Sequence, residues 1–343
     1  LIFSCIKHMK LTDSGTLIRL AYQGLLDMKI DADDILFRAG FDKSKLYEIN
    51  LRTPFSAQPL FWNSAIEVSG DPAIGLHLGE SMPIYKGQIL EYLILSSSNF
   101  EEGLRRVLKY QRLISDALHA SFIKNPEPHL VSHFSDYTNA TSHLAEAMVV
   151  ALIRSLRSVT NGEFVATKVI FNHEPNADET EYERIFRCPV EFKAKSFKLS
   201  FDKKVLSYKS IYAEPELLEL HLKTADKSIE LLTKNDFINQ IRSTMAGLLE
   251  GNRITLEKVA ASNNMTSRQL RYQLRLVGKT FKEILDDLKH ELATRLLIKT
   301  NESINEIIYL TGFSEPSTFY RAFDRWEKMT PIAYRNKNKS NLV

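Results

Sequence analysis

The chain has 343 residues, 44% of them hydrophobic and 25% charged, with a formal net charge of +3. That length supports two domains with full cores, and the balance is ordinary for a soluble globular protein. The apolar runs, such as Ala147-Met-Val-Val-Ala-Leu-Ile153, are too short for a membrane span, and two cysteines, Cys5 and Cys188, make neither a disulfide framework nor a Cys-based zinc site.

The opening Leu1-Ile-Phe-Ser-Cys-Ile6 is apolar but lacks a basic lead-in and a cleavage site, so it does not read as a signal peptide; Met9 is an alternative natural start. From residue 14 to 40 the pattern is helical. Leu17, Leu20, Ala21, Leu25 and Met28 share one stripe, and Asp31 should cap a second helix running to Ala39. Pro54 and Pro59 break the chain before a helix from Leu60 to Val68. Gly70, Gly75 and Gly79 are spaced as neither a dinucleotide fingerprint nor a phosphate loop, so the stretch reads as a turn followed by a helix. Residues 87–116 form a helix pair broken at Ser96-Ser-Ser-Asn99, its second helix spanning Phe100 to Leu113. Strands follow at Ala117–Ile123 and His129–Phe134. A helix from Ser142 to Thr160, apolar on most sides, should be central. After it come a strand at Val165–Phe171, a helix near Asp178–Phe186, and strands near Val190–Phe192 and Phe197–Phe201. The sum is an α+β domain over residues 1–213.

Residues 214–234 read as a linking helix with Pro215 in its first turn. Leu218, Leu222, Ala225, Ile229 and Leu232 step by alternate fours and threes, which suits either a homodimer seam or packing on the same chain; Leu217, Leu220 and Leu231 widen the stripe. The last domain, 235–343, is basic. From Asp236 onward there are 17 Lys/Arg against 12 Asp/Glu, as an electrostatic footprint for phosphates requires.

This basic third contains two helix-turn-helix patterns. In the first, Leu256-Glu-Lys-Val-Ala260 leads through a turn to a helix that Thr266 and Gln269 open with a capping box. Leu270 and Leu274 must face inward, leaving Ser267, Arg268, Arg271, Tyr272 and Arg275 outside. Arg bonds guanine bidentately in a major groove, so Arg268, Arg271 and Tyr272 are base-contact candidates, and Ser267 and Arg275 are phosphate candidates. In the second, Ser303 and Glu306 form a capping pair, Gly312 and Phe313 make the turn, and Ser314 can cap the next helix. Phe319 and Phe323 face inward. Ser317 and Arg321 then look toward bases, and Thr318 and Tyr320 toward phosphates. Trp326 belongs to the core. Thr330-Pro331 starts a closing helix through Tyr334, and the tail Arg335-Asn-Lys-Asn-Lys339 reads either as a further phosphate contact or as disordered. Between the units, Phe281 to Lys299 forms a rod roughly 28 Å long at roughly 1.5 Å per residue. Successive major-groove faces lie roughly 34 Å apart, so one chain can read two adjacent groove segments.

Across about 80 residues this region resembles the AraC/XylS family of bacterial transcription regulators. The residues concerned include Thr266-Ser-Arg-Gln-Leu, Phe281-Lys-Glu-Ile-Leu, Glu291-Leu-Ala-Thr-Arg-Leu-Leu, Gly312-Phe-Ser-Glu-Pro-Ser-Thr-Phe-Tyr-Arg-Ala-Phe and Thr330-Pro-Ile-Ala-Tyr-Arg335. The resemblance implies promoter DNA as partner and activation through RNA polymerase, and the low cysteine count fits a reducing cytoplasm. Positions matching the family's base contacts are Arg268, Arg271 and Tyr272, then Pro316, Ser317 and Arg321. Ile308, Lys289 and Lys328 depart from the usual Ala, Arg and Gly, and Ile308 is expected to tilt the second helix pair. The front domain resembles the arabinose-binding-type N-terminal region of one family branch, on Gly70-Asp-Pro-Ala-Ile-Gly-Leu, Gly103-Leu-Arg-Arg-Val-Leu-Lys-Tyr-Gln and Phe186-Arg-Cys-Pro-Val-Glu-Phe192. It implies a sensor/dimerisation domain that binds a small-molecule effector. The expected fold class is therefore an α+β N-terminal sensor/dimerisation domain followed by an all-α C-terminal domain with two helix-turn-helix units joined by a long helix.

Enzymatic readings find no support. His129 and His133 lie on a strand without a His-Glu-x-x-His frame, no Gly-x-Ser-x-Gly elbow occurs, and Glu101-Glu102 and Asp286-Asp287 read as solvated faces. No metal or catalytic cofactor is expected. The alternative is an architectural or anti-activator protein that binds DNA without an effector; a pocket in the front domain would favour the sensor, a solid core the rival.

Overall fold

The first helix is preceded by a strand that the sequence did not announce. In the computed structural model, which describes residues 11–84, 88–134, 141–249 and 254–339, β1 (Thr12–Ser14) leads directly into α1 (Gly15–Asp27). Cys5 and Met9 lie outside the described residues. Asp31 caps α2 (Ala32–Arg38) as expected, accepting from the Asp34 amide at 3.0 Å. β2 (Arg52–Pro54) then pairs antiparallel with β1. Two three-residue strands are too short to show alternation. Arg52 fastens them, its Nη2 donating to Thr12 O at 2.7 Å and to Asp116 at 3.0 Å.

α3 (Gln58–Ser69) ends at Gly70, whose φ of +66° is left-handed. On α4 (Ile74–Ser81) two further glycines let a neighbouring helix close in. A Cβ at Gly75 would stand 2.6 Å from the carbonyl oxygen of His143, and one at Gly79 would stand 2.8 Å from Val150 Cβ. The glycine-rich stretch is thus a helix-packing device. The pair α5 (Ile89–Leu95) and α6 (Phe100–Lys109) breaks where expected, but α6 stops four residues short of Leu113. A single 3₁₀ turn, Gln111–Leu113, follows because Gln111 is tied to the next strand: its amide donates to Ala120 O at 3.1 Å and accepts from Ala120 N at 2.6 Å.

β3 (Leu118–Ile123), β4 (His129–Phe134), α7 (Ser142–Val159), β5 (Ala166–Ile170), α8 (Glu179–Phe186), β6 (Val190–Glu191) and β7 (Phe197–Phe201) complete the domain. The strands form one sheet in the order β3-β4-β7-β5-β6, antiparallel except for β5 with β6. Its register places Ala120 opposite Ser132, and Ser132 opposite Phe197. Val149 and Ile153 of α7 pack against Val169, Leu199 and Phe201, so α7 is central as its sequence implied.

α9 (Pro215–Gly247) runs unbroken through the boundary expected at Asn235, and the chain divides into compact units between Glu230 and Leu231. On α9, Leu218, Leu222 and Ile229 pack with buried Ala225 against Leu93 and Tyr110. The Tyr110 hydroxyl adds a 2.7 Å hydrogen bond to Asp226. Of the two readings of this stripe, packing on the same chain is observed for Leu218, Leu222, Ala225 and Ile229, and it leaves Leu218, Leu222 and Ile229 half-buried.

In the second unit Ile241, Met245 and Ala246 of α9 share a core with α10 (Leu256–Ser262) and α11 (Ser267–Leu276). α12 (Phe281–Lys299) gives Ile284 and Leu288 to that core. Its far half gives Ala293, Leu296 and Leu297 to a second core with α13 (Ile304–Leu310) and α14 (Pro316–Glu327). α15 (Pro331–Lys339) closes it through Tyr334. Each head therefore owns a core, and one helix belongs to both.

Candidate nucleic-acid interface and N-terminal cavity

In the first head the capping box forms in full. The Gln269 amide donates to Thr266 Oγ1 at 3.2 Å, and Gln269 Oε1 accepts from the Thr266 amide at 2.8 Å. Leu270 and Leu274 are buried, which turns Arg268, Arg271, Tyr272 and Arg275 outward, while Ser267 is half-buried at the helix start. None of these three arginines is engaged by a carboxylate among the described residues. A solvated, unpaired guanidinium is free to meet a phosphate or a base edge at low desolvation cost.

The second head departs from expectation in detail. Ser303 accepts from the Glu306 amide at 3.1 Å, but the reciprocal bond is not made, so the pair is half a box. Ser314 is not the cap of α14: Glu315 occupies that position and its side chain accepts nothing. Pro316 follows in the first turn, and having no N–H it leaves one donor fewer to satisfy. Phe319 and Phe323 are fully buried; Ser317, Thr318, Tyr320 and Arg321 are exposed together with Pro316. Arg321 Nε donates to Ser317 O at 3.3 Å, which lays its guanidinium stem along the helix. Ile308 sits 5% exposed in the core, where its bulk is absorbed by packing.

Lys289, Asp286 and Arg335 fix this head through contacts whose partners lie too far along the chain for any short sequence window to show. Lys289 Nζ donates to Gly312 O at 2.6 Å and lies 4.2 Å from the Phe313 ring centroid, and burial lowers its pKa. Gly312 itself has φ +68°, as its turn requires. Asp286 receives Arg325 Nη2 at 2.8 Å and Trp326 Nε1 at 3.0 Å, binding α14 to α12. Arg335, expected as a phosphate contact, instead donates to Leu297 O at 3.2 Å and Glu302 O at 2.6 Å. It closes the fold, and that expectation is withdrawn for Arg335.

The N-terminal unit carries a pocket that is partly open to solvent. A cavity of about 240 Å³ lies between the sheet and the helices, with Leu118, Ala120 and Leu130 on one wall and Met148, Val149 and Leu152 of α7 on the other. No sequence window carries this, since the lining is drawn from segments far apart in the chain. On another side of α7 lies a buried polar cluster. The Tyr182 hydroxyl donates to Glu146 Oε1, Oε2 has no partner among the described residues, and His143 Nδ1 stands 3.6 Å away. Burial pushes the Glu146 carboxyl up to about 7 and the His143 imidazole down to about 4.

Two helix-turn-helix heads on a shared helix, with unpaired arginines on one of them, define a DNA-binding transcription regulator. The chain belongs to the AraC-type regulators: the family described as "Arabinose-binding domain of AraC transcription regulator, N-term" matches residues 30–210, and the helix-turn-helix domain family matches residues 259–337. It is 28% identical over 275 residues to the ornithine utilization regulator of Pseudomonas aeruginosa, covering 79% of this chain and 81% of that one. It is 23% identical over 272 residues to the regulator VqsM of the same species, covering 76% and 83%. The crystal structure of the P. aeruginosa transcriptional regulator CdpR aligns over 84% of this chain and 100% of its own at a TM-score of 0.42 and 20% identity. The family and these relatives are transcription regulators and not enzymes. Among the described residues no helix is long and apolar enough to cross a membrane.

Proposed function

We propose that α11 and α14 are the recognition helices of a sequence-specific promoter-binding protein. In this reading Arg268, Arg271 and Tyr272, then Ser317 and Arg321, meet base edges in successive major-groove segments. Ser267, Arg275, Thr318 and Tyr320 meet phosphates. The single observation that carries the reading is the outward, unpaired set Arg268, Arg271 and Arg275 on a helix whose opposite face is locked by Leu270 and Leu274. Residues 235–343 are the DNA-binding part and residues 1–213 the sensor, linked through 214–234. The protein works in the cytoplasm, as a homodimer formed through its N-terminal unit or the exposed Leu217, Leu220 and Leu231 of α9, and activates transcription by contact with RNA polymerase.

The pocket of the N-terminal unit supports the effector-responsive regulator over an architectural protein, because its concave and largely apolar wall offers a small molecule a place to bind. Selecting sites from a random oligonucleotide pool with the full chain tests the reading. The expected product is a two-part site with its halves about one helical turn apart and an affinity that falls steeply with salt. Recovery of unenriched DNA, or a flat salt response, would rule it out.

A further inference from the structure

The cavity is lined almost wholly by hydrocarbon, and its polar lining is largely committed to the protein itself. Gln111 gives both ends of its amide to the Ala120 backbone, and Thr16 donates to Gln88 at 3.3 Å. Among the described lining residues Glu91 and His133 are the ionisable ones, and neither Lys nor Arg is present. Ser155, on α7, is different: its Oγ is buried and has no hydrogen-bond partner among the described residues. Ser132 and Asn172 add neutral polar atoms on the sheet side.

A ligand entering this space gives up its water. Each hydroxyl that found no partner would cost roughly 1–3 kcal/mol, and an unpaired charge would cost more. A pentose brings hydroxyls on nearly every carbon, more than Ser155, Ser132 and Asn172 can partner, and an amino acid brings a carboxylate for which the described lining offers neither Lys nor Arg. A hydrocarbon skeleton instead gains roughly 25 cal/mol for each Å² buried. The volume, about 240 Å³, sits below the roughly 300–1,000 Å³ of pockets for drug-sized ligands, so the occupant is small.

We propose that the N-terminal cavity takes a small, uncharged, predominantly hydrocarbon effector bearing a neutral hydroxyl or carbonyl, and takes neither a sugar nor an amino acid. The inference rests on the sensor reading above and deepens it by fixing the chemical class of the ligand. A neutral polar group on such a ligand would supply the partner that Ser155 Oγ lacks, with Ser132 and Asn172 as further sites.

Isothermal titration of the full-length protein with 1-octanol, L-arabinose and L-ornithine tests this. Saturable binding of 1-octanol alone is expected, together with a shift of the labelled methyl of Met148 on the cavity wall. Two variants shrink the space from opposite walls, Ala120→Leu and Ser155→Leu. Each should weaken 1-octanol binding at least tenfold while leaving affinity for the selected DNA site unchanged. Binding of the sugar or the amino acid that Ala120→Leu abolishes would overturn the ligand class and leave the sensor reading standing. No binding of 1-octanol, or binding without the Met148 shift, would also overturn it. Conversely, 1-octanol seated in the cavity without any change in DNA affinity would sustain the ligand class and remove the sensor reading.

Discussion

Glu146 lies in the second turn of α7 with none of its surface exposed, and among the described residues only one of its carboxylate oxygens has a partner. Burial raises its folded-state pKa from an ordinary 4.5 to about 7. In the unfolded chain the group ionises near its ordinary value, whereas in the folded chain it keeps its proton up to about pH 7. Between those values the folded state binds more protons, so stability falls as pH rises and the loss is complete above the folded pKa. At about 1.4 kcal/mol per pH unit the displacement amounts to about 3 kcal/mol at pH 8. Glu146→Gln should remove it. The Gln carbonyl can still accept from Tyr182, and its NH₂ can donate toward the unpaired His143 Nδ1, which is neutral because burial holds that ring down to about 4. The chain has two tryptophans, with Trp62 stacked on His143 at 6.2 Å between ring centroids. In a Trp326→Phe background, urea unfolding followed by Trp62 fluorescence therefore reports this unit alone. His143, held down to about 4, adds to both proteins a gain in stability as pH rises toward 6.5, so the comparison between them isolates Glu146: the Gln variant should gain on the wild type from pH 5 to pH 8 and exceed it at pH 8. A difference between the two that stays constant across that range, or a Gln variant no more stable at pH 8, would refute the assignment of a buried, proton-holding carboxyl.

Arg271→Ala should weaken binding to the selected DNA site by about 1–3 kcal/mol and relax preference at one base pair, measured by competition binding. An equal loss on random DNA would make Arg271 a phosphate contact. Lys328 ends α14 at φ +56°, a left-handed position that suits glycine, so Lys328→Gly should stabilise the C-terminal unit by about 1 kcal/mol in urea unfolding read at Trp326. A net loss would mean that the Lys side chain holds something in place. Leu222→Glu puts a charge against Leu93 and Tyr110 and should cost the N-terminal unit about 1–3 kcal/mol. If sedimentation instead showed a dimer dissociating with no loss of stability, the covered-face account of α9 would fail.

Much of the second unit was legible because its signals are local. Thr266 with Gln269 is a cap four residues long, Leu270 with Leu274 is one helical turn, and Phe319 with Phe323 is another. Ser314 was misplaced as a cap because the sequence offers a good capping residue one position early and does not show that the helix starts at Pro316, which makes Glu315 the cap position. The β1–β2 pair escaped notice for a related reason. What holds it is Arg52 reaching Thr12 and Asp116, partners 40 and 64 residues away.

Composition, cap chemistry and periodicity determined that this chain carries two helix-turn-helix heads on one rod and which side chains look outward from them, since helix faces follow from spacing alone. Tertiary structure decided the remainder. It sent the leucine stripe of α9 onto Leu93 and Tyr110, took Arg335 out of the phosphate set, placed Lys289 under the second turn, and opened a hydrocarbon-lined pocket beneath the sheet. Those outcomes depend on which distant segments meet, and a linear pattern encodes the face a residue presents without encoding what comes to cover it.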